Sequence, residues 1–160
     1  VDAAEHLDEV IEAVARTRRL PPARMEPVSV ARGASPLVAP FRTHCASCHD
    51  TTLPHPPNFL HGSLAEVEAR LDHCAPRMFV RLSMAGVPEA ARSKPPMPPA
   101  AALASRGIDP AHWAASPELA ALKRIVASRL RGQDPASLLR RPYAQLPPCL
   151  PPSDYAGRVP

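Results

Sequence analysis

An all-α fold is what this sequence predicts, and three observations predict it. Twenty-three prolines against six glycines in 160 residues remove amide donors from any would-be sheet, which makes extended β-structure a poor fit. Apolar residues recur at helical spacing in several separate segments. Those segments open on residues that cap helices and close on proline or glycine. The length is that of about one domain, enough to close a core around a small cofactor.

The helices follow in chain order. Leu7, Val10, Ile11 and Val14 lie on one face of a helix over residues 3–20, which Asp2 can cap and Pro21-Pro22 stops. One helix cannot bury that stripe alone, so it lies against the rest of the chain or against a partner. Residues 21–36 are linker-like, with Gly33 as turn residue. A short helix over residues 35–44 has Ser35 as cap and Pro36 at its first position, or starts late at Pro40, and carries Leu37, Val38 and Phe41. After a Pro- and His-containing loop over residues 50–62, Ser63 and Glu66 form a capping box for a helix over residues 64–74. Pro76 then opens a second helix, with Phe79, Val80 and Leu82, that ends near Gly86.

Ser116-Pro117-Glu118 starts the clearest helix of all, combining a cap, a proline at the first position and an acid where the dipole favours one. Leu119, Leu122, Ile125, Val126 and Leu130 form its stripe, and Gly132 ends it. A short helix over residues 135–140 and a Pro-rich tail through Cys149 follow. The organisation expected is an N-terminal helix and linker (1–34), a central domain (35–132) and a C-terminal extension (133–160). No internal repeat is present.

The run Cys45-Ala46-Ser47-Cys48-His49 carries the chemistry. At C-x-x-C-H spacing two thiols can each form a thioether to a haem vinyl group while the adjacent imidazole reaches the iron. Covalent attachment keeps the ring from dissociating and holds it beside His49, which then needs little entropy to find the metal. Ligation requires a neutral imidazole nitrogen, with the other ring nitrogen held by a carbonyl, for which Pro56 or Pro57 is placed. Much of the core is then porphyrin, which accounts for an aromatic content of only 4%. Two rival readings exist. A thioredoxin-like dithiol opens a helix within a βαβ pattern, and no β-rich alternation lies nearby; structural zinc needs two more ligands, for which His73 and Cys74 are a poorly spaced pair.

Ser93-Lys94-Pro95-Pro96-Met97-Pro98-Pro99 offers a ligand for the second face of the iron. A methionine walled by four prolines cannot sit in a helix, and the stiff loop delivers its sulfur at small ordering cost. Met/His ligation favours Fe(II) and so raises the reduction potential. Rivals for that position are Met25, Met78, Met84, His44, His55, His61, His73 and His112; a second histidine would give a lower-potential bis-His site. A second C-x-x-C-H, which a di-haem protein would require, is absent.

Cys74 and Cys149 are left as an even pair, either a disulfide in an oxidising compartment or two separate buried thiols. The formal charge of +4 is offset in part by two haem propionates, and no aromatic residues interleave the basic ones, so nucleic acid is not an expected partner. No apolar stretch approaches the ~20 residues that span a bilayer. The chain begins at Val1 rather than Met, as after removal of a signal peptide or an upstream domain.

With the motif, the later Met-Pro-Pro and the terminal amphipathic helix in this order, residues 35–132 resemble the class I cytochrome c family. Phe41, four residues before Cys45, the run Pro56-Pro57-Asn58, and the helix over residues 117–130 in the place of the family's C-terminal helix add to the likeness. The resemblance implies a small α-helical wrap around one haem c, matured outside the cytoplasmic membrane, in the periplasm or otherwise exported. It implies Cys45 and Cys48 as anchors, His49 and Met97 as iron ligands, and Pro57 as a neighbour of the ring, with Phe41 packed either against the porphyrin edge or against the C-terminal helix. The function expected is one-electron transfer to and from redox partner proteins, either as a shuttle or as an electron-accepting module of a larger assembly docked through the N-terminal helix. No residue then needs to act as acid, base or nucleophile. The rival is a catalytic or small-ligand-sensing haem protein with an exchangeable distal position. The stretch from residue 100 to 115 is longer than the family's usual link, and its Trp113 either shields a haem edge, marks a docking patch, or simply packs.

Overall fold

Seven α-helices stand in the described part of the chain: α1 (Ala39–His49), α2 (Leu64–Ser83), α3 (Ala100–Ala104), α4 (Pro110–Ala114), α5 (Pro117–Ser128), α6 (Pro135–Arg140) and α7 (Ser153–Ala156). Single 3₁₀ turns lie at Met84–Gly86, Glu89–Ala91 and Tyr143–Gln145. The computed structural model describes residues 35–156; the amphipathic segment at residues 3–20, the linker to residue 34 and Met25 lie outside the described residues. Among the described residues no strand is present, as the proline content requires.

Helix starts follow local chemistry. Ser63 Oγ accepts from the Glu66 N–H while the Glu66 carboxylate accepts from the Ser63 N–H, which completes the capping box of α2. Ser116 Oγ accepts from the Leu119 N–H at 3.1 Å, with Pro117 in the first turn of α5. Asp109 and Asp134 do the same for α4 and α6. Each such cap is worth about 1 kcal/mol.

Two boundaries differ from expectation. Ser35 heads a turn, its carbonyl accepting from Val38 and Ala39, and α1 begins at Ala39 with Pro40 in its first turn. That helix does not stop at His44 but runs to His49, so the C-x-x-C-H run occupies its last turns. The second correction concerns Pro76. It opens no new helix; it lies buried inside α2, which is continuous over twenty residues. An interior proline costs about 3 kcal/mol, yet Cys74, Ala75, Met78, Phe79, Val80 and Leu82 around it are all buried. Burying a large apolar side chain returns about 1.5–3 kcal/mol, so packing over two turns outweighs the lost hydrogen bond.

The core lies between α2 and α5, which form the most extensive helix pair, with α1 crossing against α5 and α6 against α2. Leu71, Leu122 and Val126 are almost wholly buried there. Arg129, at the end of α5, fastens the two helices from outside by donating to Asp72 and Glu68 on α2, both at 2.6 Å. The described residues fall within one compact unit that begins at Gly33. The C-terminal extension belongs to its core: Leu138, Leu146 and Leu150 are buried, and Cys149 is bonded to Cys74 in α2 with Cα atoms 4.1 Å apart. No helix among the described residues is long and apolar enough to cross a membrane.

Candidate functional site

Helix α1 presents one face to a cleft. Phe41, His44, Cys45, Cys48 and His49 follow the i, i+3, i+4, i+7, i+8 pattern that puts side chains on a single side of a helix, and all five line it. C-x-x-C-H spacing, once helical, therefore delivers both sulfurs and the imidazole to the same side. The facing wall has the same pattern, from Cys74, Arg77, Met78, Arg81 and Leu82 of α2. That face exists because α2 continues through Pro76. Ser47 of α1, Pro56, Pro57 and Phe59 of the loop after it, Met97 and its following prolines, Ala102 and Arg106, and Tyr143 and Cys149 of the C-terminal segment complete the lining. The cleft is largely apolar, open at its mouth, and holds about 220 Å³ of accessible space.

The loop from residue 50 to 62 is folded so as to hold His49. Leu60 N–H donates to the His49 carbonyl at 3.0 Å, and the buried Asn58 donates from Nδ2 to the Thr51 carbonyl, also at 3.0 Å. This places the Pro57 carbonyl 2.6 Å from His49 Nδ1. A carbonyl only accepts, so Nδ1 carries the proton and the Nε2 lone pair is left for a ligand. Between Pro56 and Pro57 the structure selects Pro57. Burial foremost holds the His49 pKa below its ordinary value; the Pro57 hydrogen bond opposes this and the Arg81 charge reinforces it. The ring is thus kept neutral, as metal ligation requires. Phe59 stacks on it, with centroids 4.3 Å apart and planes at 25°.

Cys45 and Cys48 are free thiols. Burial above all pushes the Cys45 pKa up to about 12, with Arg106 pulling it down and Cys48 adding to the rise. A thiol so held is protonated at neutral pH, and it sits at the C-terminal end of α1, where the dipole disfavours a thiolate. Both facts count against a nucleophilic dithiol. Cys74 is consumed by its disulfide to Cys149, so the zinc pairing of His73 with Cys74 lacks a free thiolate ligand.

Met97 lines the same cleft as His49. Its loop is fastened where α2 ends, because Met97 N–H donates to the Arg81 carbonyl at 3.2 Å, and carbonyls of a helix's last turn run out of partners within the helix. Of the rivals, Met78 and His44 also line the cleft; Met84, His55, His61, His73 and His112 do not. Met78 is buried in the core cluster, whereas Met97 is half-exposed and outside it, so packing does not use up the Met97 thioether. Trp113 is 3% exposed and absent from the lining. It packs beside His44, centroids 5.1 Å apart, and neither shields the cleft nor marks a docking patch.

Sequence reasoning missed Phe59, Arg77, Arg81, Arg106 and Tyr143. A continuous α2 would have revealed the two arginines of that helix, one and two turns beyond Cys74 on its face; Phe59 and Tyr143 carry no local signal. No protein-family model matches the sequence, and neither a curated protein nor a solved structure matches it.

Proposed function

We propose that this chain is a mono-haem c electron-transfer protein, with Cys45 and Cys48 as thioether anchors and His49 and Met97 as axial ligands. The observation that carries the reading is the convergence of those four side chains on one largely apolar cleft in which Pro57 leaves His49 a free Nε2. The residues fit a haem on further grounds: the proton on Nδ1 fixes the tautomer, the cleft walls are largely apolar, and its cations match a ring bearing carboxylates. When bound, haem supplies the one-electron Fe(III)/Fe(II) couple. The chain's own contribution is to hold. Phe59 and Pro57 fix the plane of His49, the α2 terminus fastens the Met97 loop, and the core of α2 and α5 resists rearrangement between oxidation states. Low reorganisation suits electron transfer and leaves no step for an acid or base. The Cys74–Cys149 disulfide favours an oxidising compartment such as the periplasm.

The test is a visible spectrum of protein expressed with haem-attachment machinery, oxidised, reduced and as its alkaline pyridine derivative, for the wild type, Met97→Ala and Met78→Ala. Expected are covalently bound haem and a methionine-to-iron charge-transfer band lost only in Met97→Ala, together with a fall in potential. An unchanged Met97→Ala spectrum removes Met97 from the site. Rapid carbon monoxide binding to the reduced wild type favours the reading with an exchangeable distal position, for which His44 and Met78 are the other side chains within the cleft.

A further inference from the structure

The charged groups around the cleft are one-sided. Arg77, Arg81 and Arg106 line it, and no aspartate or glutamate does. Cations beside a largely apolar cavity are stable there when an anion compensates them, and among the described residues none of the three forms an ion pair with a carboxylate.

The arginines are not equivalent. Arg77 is already engaged: its Nε and one Nη donate to the Leu146 carbonyl at 3.2 and 2.8 Å, and its guanidinium lies 4.9 Å from the centre of the Tyr143 ring. Arg106 is exposed. Arg81 has its Nε buried without any hydrogen-bond partner, and its guanidinium, 5.9 Å from the same Tyr143 ring, has no acid to meet. A buried guanidinium N–H left unmade is costly, and its planar fork matches a carboxylate in two parallel hydrogen bonds.

We propose that Arg81 holds a carboxylate of the bound haem, so that the acidic edge of the ring faces α2 and the Tyr143–Leu146 segment rather than open solvent. This rests on the haem reading above. Arg77 and Tyr143 act as positioning residues: Tyr143 is shared by the Arg77, Arg81 and Lys94 side chains, and the segment that bears it is tied to α2 by the disulfide. The C-terminal extension thereby builds one end of the cofactor site. Through its carbonyl Arg81 also anchors the Met97 loop, so one residue serves the ring and the ligand loop, the second through its backbone alone.

The experiment measures reduction potential against pH from 5 to 8 for the covalently loaded wild type, Arg81→Gln, Arg81→Lys and Arg106→Gln. Removing a cation beside the ring stabilises Fe(III), so the potential of Arg81→Gln falls. An arginine partner depresses a carboxyl pKa by about one to three units whereas burial raises it, so without the arginine a carboxyl in this largely apolar cleft titrates above its ordinary value and a pH-dependent step in potential enters the measured range. Arg81→Lys keeps the charge and loses the fork, so its potential stays near the wild type while the carboxyl, held by a point charge alone, titrates higher; a pH profile unshifted in Arg81→Lys overturns the assignment should the glutamine variant fail to load haem. Other ionisable groups facing this region are His44, Arg77, Lys94, Arg106 and Tyr143; Arg106→Gln controls for bulk charge. An Arg81→Gln potential and pH profile like the wild type, in protein whose mass proves haem attached, overturns the assignment, as does an equal effect from Arg106→Gln. Wild-type protein without covalent haem overturns the haem reading, and this inference with it.

Discussion

Removing the Cys74–Cys149 cross-link by substituting both residues with alanine will destabilise the protein by an amount its topology sets. Alanine is chosen over serine because the two positions are 2% and 9% exposed, and a hydroxyl there would add an unsatisfied polar group. The bridge closes a loop of 75 residues. In the chain-entropy treatment such a loop removes about 15 cal/mol/K from the unfolded ensemble, or about 4.5 kcal/mol at 25 °C. With a urea m-value of about 2 kcal/mol/M for a domain of this size, the unfolding midpoint falls by roughly 2 M. The assay is urea unfolding followed by far-UV circular dichroism, with the wild type reduced by a dithiol as a second route to the same state. The segment bearing Tyr143 and Leu146 also loosens from α2, so Arg77 loses its fixed acceptor. A loss below about 1 kcal/mol, or a wild type in which thiol titration finds Cys74 and Cys149 unpaired, refutes the reasoning.

Phe59→Ala empties a 5% exposed position stacked on His49; we expect a loss of about 3–5 kcal/mol in urea unfolding, and a changed spectrum of the loaded protein because the imidazole plane is no longer braced. The Asp72 carboxyl is held below its ordinary pKa: burial opposes its ionisation, but hydrogen bonds from Arg129 and Arg131 outweigh it. Its contribution is therefore full above the ordinary carboxylate value of about 4 and disappears as pH falls through the lower folded value. Asp72→Asn should unfold at lower urea than the wild type at pH 6, with the gap narrowing as pH falls below about 4. A gap that does not narrow at all on acidification would show that the effect is not the ion pair.

Features written within one turn of chain were legible in advance. The capping box at Ser63 and Glu66 and the cap at Ser116 involve residues three apart, and both form as read. The C-x-x-C-H run is equally local: five consecutive residues give its spacing whatever surrounds them. Pro76 misled because a proline's local preference is for a first turn, while its actual place depends on buried neighbours on both sides and on α5, more than forty residues away. The end of α1 is hidden for a related reason, since the spacing of the motif is the same whether it follows a helix or forms its last turns. The proline-walled Met97 was singled out from its neighbours in sequence, yet only the fold distinguishes it from Met84, His61 and His73, because convergence on a cleft is a property of distant segments.

By itself, then, the sequence determined the helical class, the helix starts at Ser63, Ser116 and Pro135, and the C-x-x-C-H spacing of Cys45, Cys48 and His49 on which the proposed haem attachment rests, since capping, proline stereochemistry and motif spacing act over a few residues. Tertiary structure alone decided that Pro57 rather than Pro56 orients His49, that Phe59 braces it, that Cys74 meets Cys149, and that Arg81 is left with a buried donor unmet. Those outcomes follow from burial and close packing between segments far apart in the chain, and no local pattern encodes them.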